Sequence, residues 1–117
     1  MIEKLGTVVK FELGSDQGNT WMITFRFNLF GSQQGFGGGL GRKNSWIEKD
    51  FIKEMCTLCQ IDRIEQMKGM KLIALYEDTY NPNSFIIGIK NPKTGATWLL
   101  SEWMFRTVTT DRLMGGQ

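Results

Sequence analysis

A chain of 117 residues with 41% hydrophobic and 22% charged side chains has the composition of one globular domain, long enough to bury roughly two-thirds of the surface that its unfolded form exposes. A net charge of +2 excludes both the strongly basic balance of a general nucleic-acid binder and the acidic profile of a nucleic-acid mimic. With no histidine and only two cysteines, the chain has no Ser-His or Cys-His nucleophilic pair, no disulfide framework and no four-ligand zinc set of its own.

The first residues, Met1-Ile2-Glu3-Lys4-Leu5, carry no apolar signal region, and no apolar run reaches the ~20 residues needed to span a bilayer. The expected location is the bacterial cytoplasm, with no membrane partner. Residues 7–13 alternate, with Val9, Phe11 and Leu13 on one face and Lys10 and Glu12 on the other, which predicts a half-buried strand. Ser15-Asp16-Gln17-Gly18-Asn19 is turn chemistry. Trp21, Ile23, Phe25, Phe27 and Leu29 then alternate with Thr24, Arg26 and Asn28, so the two runs predict an antiparallel hairpin.

Residues 31–44 hold six glycines and read as a flexible Gly-rich loop, because ordering such a backbone costs roughly 1–2 kcal/mol per residue. A helix follows. Ser45 and Glu48 form an S-x-x-E capping box, and Ile47, Phe51, Met55, Leu58 and Cys59 recur at helical spacing. Asp62 and Glu65 predict a short second helical turn that stops at Gly69. Residues 70–76 and 84–90 read as strands on either side of Asn81-Pro82-Asn83, residues 91–95 as a tight turn, and 96–100 as a further strand. Residues 101–108 fit neither period, and residues 113–117 read as a frayed end. The order β-β-α-β-β-β predicts a single α+β domain: a curved antiparallel sheet of about five strands with one main amphipathic helix packed on it.

The Gly-rich segment is the first candidate site. It is not a Walker A loop, because Gly41 is followed by Arg42, Lys43 and Asn44, and it is not a dinucleotide fingerprint, because the third glycine would fall at Leu40. Its place before a capped helix, with Arg42 and Lys43 adding positive charge, still suits an anion. Phe36, flanked by Gly35 and Gly37, is either an exposed anchor for a partner or a base, or a ring folded back onto the sheet. Cys56 and Cys59 form a C-x-x-C near the helix end rather than at its start, the position of free thiols without a metal. Glu77, Asp78 and Glu102 are candidate acids with nothing to distinguish them from solvated carboxylates. Trp103, Met104 and Phe105 are adjacent and cannot all face one core, so at least one reaches the surface or a partner.

Gly31-Ser32-Gln33-Gln34-Gly35-Phe36-Gly37-Gly38, between a hairpin and a capped helix, resembles the GGQGFGG-type segment of small uncharacterised bacteriophage and prophage proteins. Met67-Lys68-Gly69-Met70-Lys71 and Trp103-Met104-Phe105 match the same layout more loosely. After Gly38 the pattern is lost: Gly39-Leu40-Gly41-Arg42 stands where the family continues with an aromatic, a Leu and an Asp. The resemblance implies a phage-type origin and a cytoplasmic site of action, without a mechanism.

These observations lead to a small non-enzymatic accessory protein that binds a host, defence-system or phage protein inside the bacterial cell, with no cofactor. The expected contact residues are Gly35, Phe36, Gly37, Arg42, Lys43 and Trp103. The alternative is a nucleotide- or single-stranded nucleic-acid-binding accessory protein that uses the basic Gly-rich segment. An enzyme comes third.

Overall fold

The computed structural model describes residues 1–15, 18–27, 32–77 and 84–113. Asp16 and Gln17 of the first expected turn, Asn28 and Leu29 of the expected second strand, Gly31, Asp78, the Asn81-Pro82-Asn83 break and the 114–117 end lie outside these residues. Among the described residues six strands form one antiparallel sheet: β1 (Ile2–Ser15), β2 (Gly18–Phe27), β3 (Ser32–Gly39), β4 (Lys71–Tyr76), β5 (Gly88–Lys90) and β6 (Thr97–Leu99), in the order β3-β2-β1-β4-β5-β6. Two helices, α1 (Trp46–Cys59) and α2 (Leu100–Leu113), and a 3-10 turn (Ile64–Met67) complete the α+β fold. No described helix is long and apolar enough to cross a membrane.

The first two strands form the expected hairpin, with Phe11 opposite Ile23 and Leu13 opposite Trp21. The alternation in β1 changes phase at a bulge between Val8 and Lys10. Val8, opposite Phe25, is fully buried, whereas Val9 is only half-buried. The extra residue lets Val8 share a face with Phe11 and Leu13. The chain leaving the 3-10 turn is bonded to this bulge: Val8 N–H donates to the Met70 carbonyl (2.9 Å), and Gly69 N–H donates to the Val8 carbonyl (2.7 Å).

Residues 32–39, expected as part of a flexible loop, are a strand paired without interruption to β2. Three of its glycines, Gly35, Gly37 and Gly38, leave space that side chains or main chain of β2 occupy. A Cβ on Gly37 would stand 2.5 Å from the Trp21 carbonyl oxygen, and one on Gly38 would stand 3.1 Å from Trp21 Nε1. Phe36, opposite Ile23, points into the core. The segment therefore orders because β2 supplies the packing that its own side chains lack. Only residues 40–45 connect it to α1.

The sheet curls. Tyr76 Oη on β4 donates to Gln34 Oε1 on β3 (2.6 Å), although two strands lie between them. In a flat sheet those strands would stand about 14 Å apart, at about 4.8 Å per step. Gln34 Nε2 in turn donates to the Ser84 carbonyl (2.8 Å). That bond draws Ser84 off the ladder, so the strand expected over 84–90 pairs only from Gly88, with Ile87 N–H reaching the Leu75 carbonyl.

The helix α1 starts where its capping signal placed it. Ser45 Oγ accepts from Glu48 N–H (3.4 Å). The Glu48 carboxylate accepts from Asn44 N–H (2.6 Å) rather than from Ser45, whose N–H goes to the Arg42 carbonyl. Glu48 also accepts from Asn19 Nδ2 on β2 (3.3 Å), so one carboxylate ties the helix start to the sheet. At the other end Gln60 takes the left-handed conformation (φ 56°), and Ile61 N–H donates to the Cys56 carbonyl, a Schellman closure. The buried Asn91 donates to the Leu58 carbonyl (2.8 Å), satisfying an orphan helix carbonyl from the turn that joins β5 to β6.

Phe51, Met55 and Leu58 are buried against the sheet as the helical spacing predicts. The stretch at 101–108, ambiguous in sequence, is the middle of α2. Replacing Phe51 with Ala is expected to cost about 3–5 kcal/mol in urea unfolding. Gly37→Ala is expected to destabilise by about 1–3 kcal/mol, since the clash is with main chain. Gly39→Ala, where a Cβ meets open space, is expected to stay within about 0.5 kcal/mol of wild type or to stabilise.

Candidate functional site

The helix α2 is fixed to α1 by a small polar cluster. Asp50 Oδ2 accepts from Trp103 Nε1 (2.9 Å) and from Arg106 Nη2 (3.1 Å), and Arg106 also pairs with Glu54. Trp103 and Thr107, one turn apart, face inward and are 3% exposed each. Thr107 Oγ1 donates to the Met104 carbonyl (3.1 Å), so its hydroxyl can be buried without a tertiary partner.

This rotation of the helix turns Met104, Phe105 and Val108 outward. Phe105 is 76% exposed, Met104 49% and Val108 48%. At helical spacing the three form one continuous apolar stripe on the solvent side of α2. Trp103-Met104-Phe105 thus divides as its adjacency requires, with the Trp inside and the other two on the surface. The helix was hard to read because both its faces carry apolar residues, which flattens the periodicity.

The other expected contact residues do not form one surface. Phe36 is 3% exposed and packs edge-on against Trp21 (centroids 4.9 Å apart) and Trp98 (6.1 Å), so it is a core ring rather than an anchor. Trp103 belongs to the same cluster, 5.8 Å from Trp98. Gly35 and Gly37 lie on β3. Arg42 and Lys43 are exposed in the turn before α1, where Lys49 and Lys53 add two further exposed cations one helical turn apart. Glu77, just after β4, and Glu102, on α2, are both exposed.

An open groove of about 610 Å³ lies near the end of α1, with Leu5, Ile61, Met70 and Pro92 among its lining and Lys71 and Lys93 at its sides. Its buried polar residue, Asn91, has both side-chain atoms occupied, since Oδ1 accepts from Lys93 N–H (2.9 Å). Cys59 also borders the groove. Burial, with a smaller contribution from neighbouring Cys56, pushes its thiol up to about 12. Cys56 is raised as well, by burial first and then by Glu65 and Asp62. Both are thiols at neutral pH, the opposite of an activated redox pair. Among the described residues no three His, Cys, Asp or Glu side chains cluster as a metal site.

The Cys59 shift has a sign for stability. The neutral thiol is the native form, so its contribution is fully present below the unfolded value near 9 and is lost as the pH rises toward the folded value. Urea unfolding between about pH 8 and pH 11 is expected to show a decline that Cys59→Ala diminishes.

Comparison with known proteins returns no matching family model, no matching curated sequence and no matching solved structure.

Proposed function

We propose that the protein is a small non-enzymatic binding protein whose contact surface is the outer face of α2, centred on Phe105. The observation that carries this reading is the stripe of Met104, Phe105 and Val108, held outward by inward-facing Trp103 and by Arg106 at its acidic partners. A Phe ring left in water forgoes about 1.5–3 kcal/mol of transfer free energy, which a protein partner recovers on burying it. The bacteriophage or prophage type, the bacterial cytoplasm and a host, defence-system or phage protein as partner belong to the same proposal and rest on the glycine segment's resemblance.

A nucleic-acid reading has a different support: Arg42 and Lys43 before α1 and Lys49 and Lys53 along its first half are all exposed. It no longer has Phe36 as a stacking platform.

The test is affinity capture from bacterial cells with wild type, Phe105→Ala and an Arg42→Ala/Lys43→Ala variant, each first shown to fold. The expected result is a captured protein whose affinity falls by at least about 2 kcal/mol, roughly 30-fold, with Phe105→Ala, and only modestly with the basic variant. Binding of single-stranded nucleic acid whose salt slope flattens by about one unit per lost phosphate contact in the basic variant would instead select the second reading. Binding indifferent to Phe105 would remove α2 as the contact surface.

A further inference from the structure

Among the described residues the strand β3 is the outermost of the sheet, and its outer edge has a definite hydrogen-bonding pattern. Leu40 N–H donates to the carbonyl of Asn19 directly across from it (2.8 Å). The register continues without a break through Gly39 opposite Thr20 to Ser32 opposite Phe27. In an antiparallel ladder hydrogen-bonded and non-bonded pairs alternate. The even-numbered residues of β3 therefore direct their N–H and C=O groups at β2. Gln33, Gly35, Gly37 and Gly39 direct theirs away from the sheet.

Natural sheets blunt such an edge with charge, proline, a bulge or a very short strand. Here the edge is eight residues long, Ser-Gln-Gln-Gly-Phe-Gly-Gly-Gly, with no charged residue and no proline, and its pairing with β2 has no bulge. Ser32, Gln33, Gly35 and Gly39 are exposed.

We propose that this edge pairs with a second copy of the same chain, β3 against β3 antiparallel about a two-fold axis at Phe36. The surface is separate from the α2 face, so this goes beyond the protein-binding reading above. The odd-numbered positions fix the register that uses the whole edge. Gln33 pairs with Gly39 of the second copy and Gly35 with its Gly37, and the two-fold repeats both pairs. Every outward N–H and C=O of these four residues is then met. The side chains are compatible with this register. Gln33 faces a glycine, Gln34 faces Gly38, and the exposed surface of the ladder carries no charge to repel its own image. An isologous contact of this kind closes at two copies and does not propagate.

The experiment measures solution mass by light scattering, from low micromolar up to about 100 μM, a range that detects dissociation constants of that order. Wild type is expected to reach twice the 13.4 kDa of one chain. In Gln33→Lys/Gly39→Lys the register sets Lys directly opposite Lys, and the dimer is expected to be lost. In Gln33→Glu/Gly39→Lys it sets Glu opposite Lys, and the dimer is expected to return. Gln33 is exposed and a Cβ at Gly39 meets open space, so both variants are expected to keep the wild-type circular dichroism and melting temperature. A monomeric wild type would overturn the proposal, as would a dimer that survives the double-Lys change or a charge-paired variant that stays monomeric. Phe105→Ala is expected to leave the dimer intact, and loss of the dimer in that variant would move self-association to α2.

Discussion

Trp21 stacks on Phe51 with ring centroids 4.6 Å apart, and most of the molecule is arranged around that contact. Trp21 belongs to β2 and Phe51 to α1, so the pair joins the sheet to its principal helix. Phe36 from β3 meets the edge of Trp21, Trp98 from β6 lies 5.9 Å from Trp21 and 6.0 Å from Phe51, and Trp103 from α2 lies 5.6 Å from Phe51. Five rings from five elements thus share one cluster. Aromatic pairs at such distances contribute about 0.5–1.5 kcal/mol beyond their buried area, and the cluster draws both ends of the sheet onto one helix. It does so at some polar cost. The indole nitrogens of Trp21 and Trp98 are buried without a protein acceptor among the described residues, a burden of about 1–3 kcal/mol each that packing must exceed.

Polar contacts at the rim convert this non-directional packing into one orientation. Glu48 holds the start of α1 to Asn19 of β2, and Asn91 holds its end to the turn between β5 and β6. Asp50 sets the rotation of α2 through Trp103 and Arg106. Asn91 satisfies a carbonyl at the helix end and Asp50 the indole N–H of a buried ring, groups that would otherwise be left unpaired. Removing one leaves a partner stranded, whereas exchanging an exposed pair such as Lys10 with Glu12 alters little.

The parts of the fold governed by local rules were legible in the sequence. Alternation identified β1 and β2 as a hairpin, and S-x-x-E placed the start of α1 and its buried face. What could not be read depended on neighbours distant in sequence. Glycine in β3 looks like a loop until the Trp21 carbonyl is known to occupy the place of a Cβ at Gly37. The bulge at Val8-Val9 follows from the bonds to Gly69 and Met70. The rotation of α2 follows from Asp50, about fifty residues earlier. The candidate site was legible to the same degree: the adjacency of Trp103, Met104 and Phe105 required at least one exposed apolar residue, but which one depended on Asp50.

The displacement of the candidate site from the glycine segment to α2 follows from what each surface contributes to folding. Phe36 is fully explained by the core, since its ring completes the cluster, and the flanking glycines are explained by the close approach of β2. Phe105 has no such explanation. The attachments of α2 at Trp103 and Arg106 fix the helix without it, and a polar residue at that position would satisfy the same backbone. Phe105 is thus an exposed apolar residue that the fold does not require, on a helix whose rotation is set by Asp50. The open edge of β3 stands in the same relation to the sheet. Its inward groups and Phe36 complete the fold, and its outward main-chain groups take no part in the ladder with β2. In both elements the inward side is occupied by the core, and the outward side faces solvent.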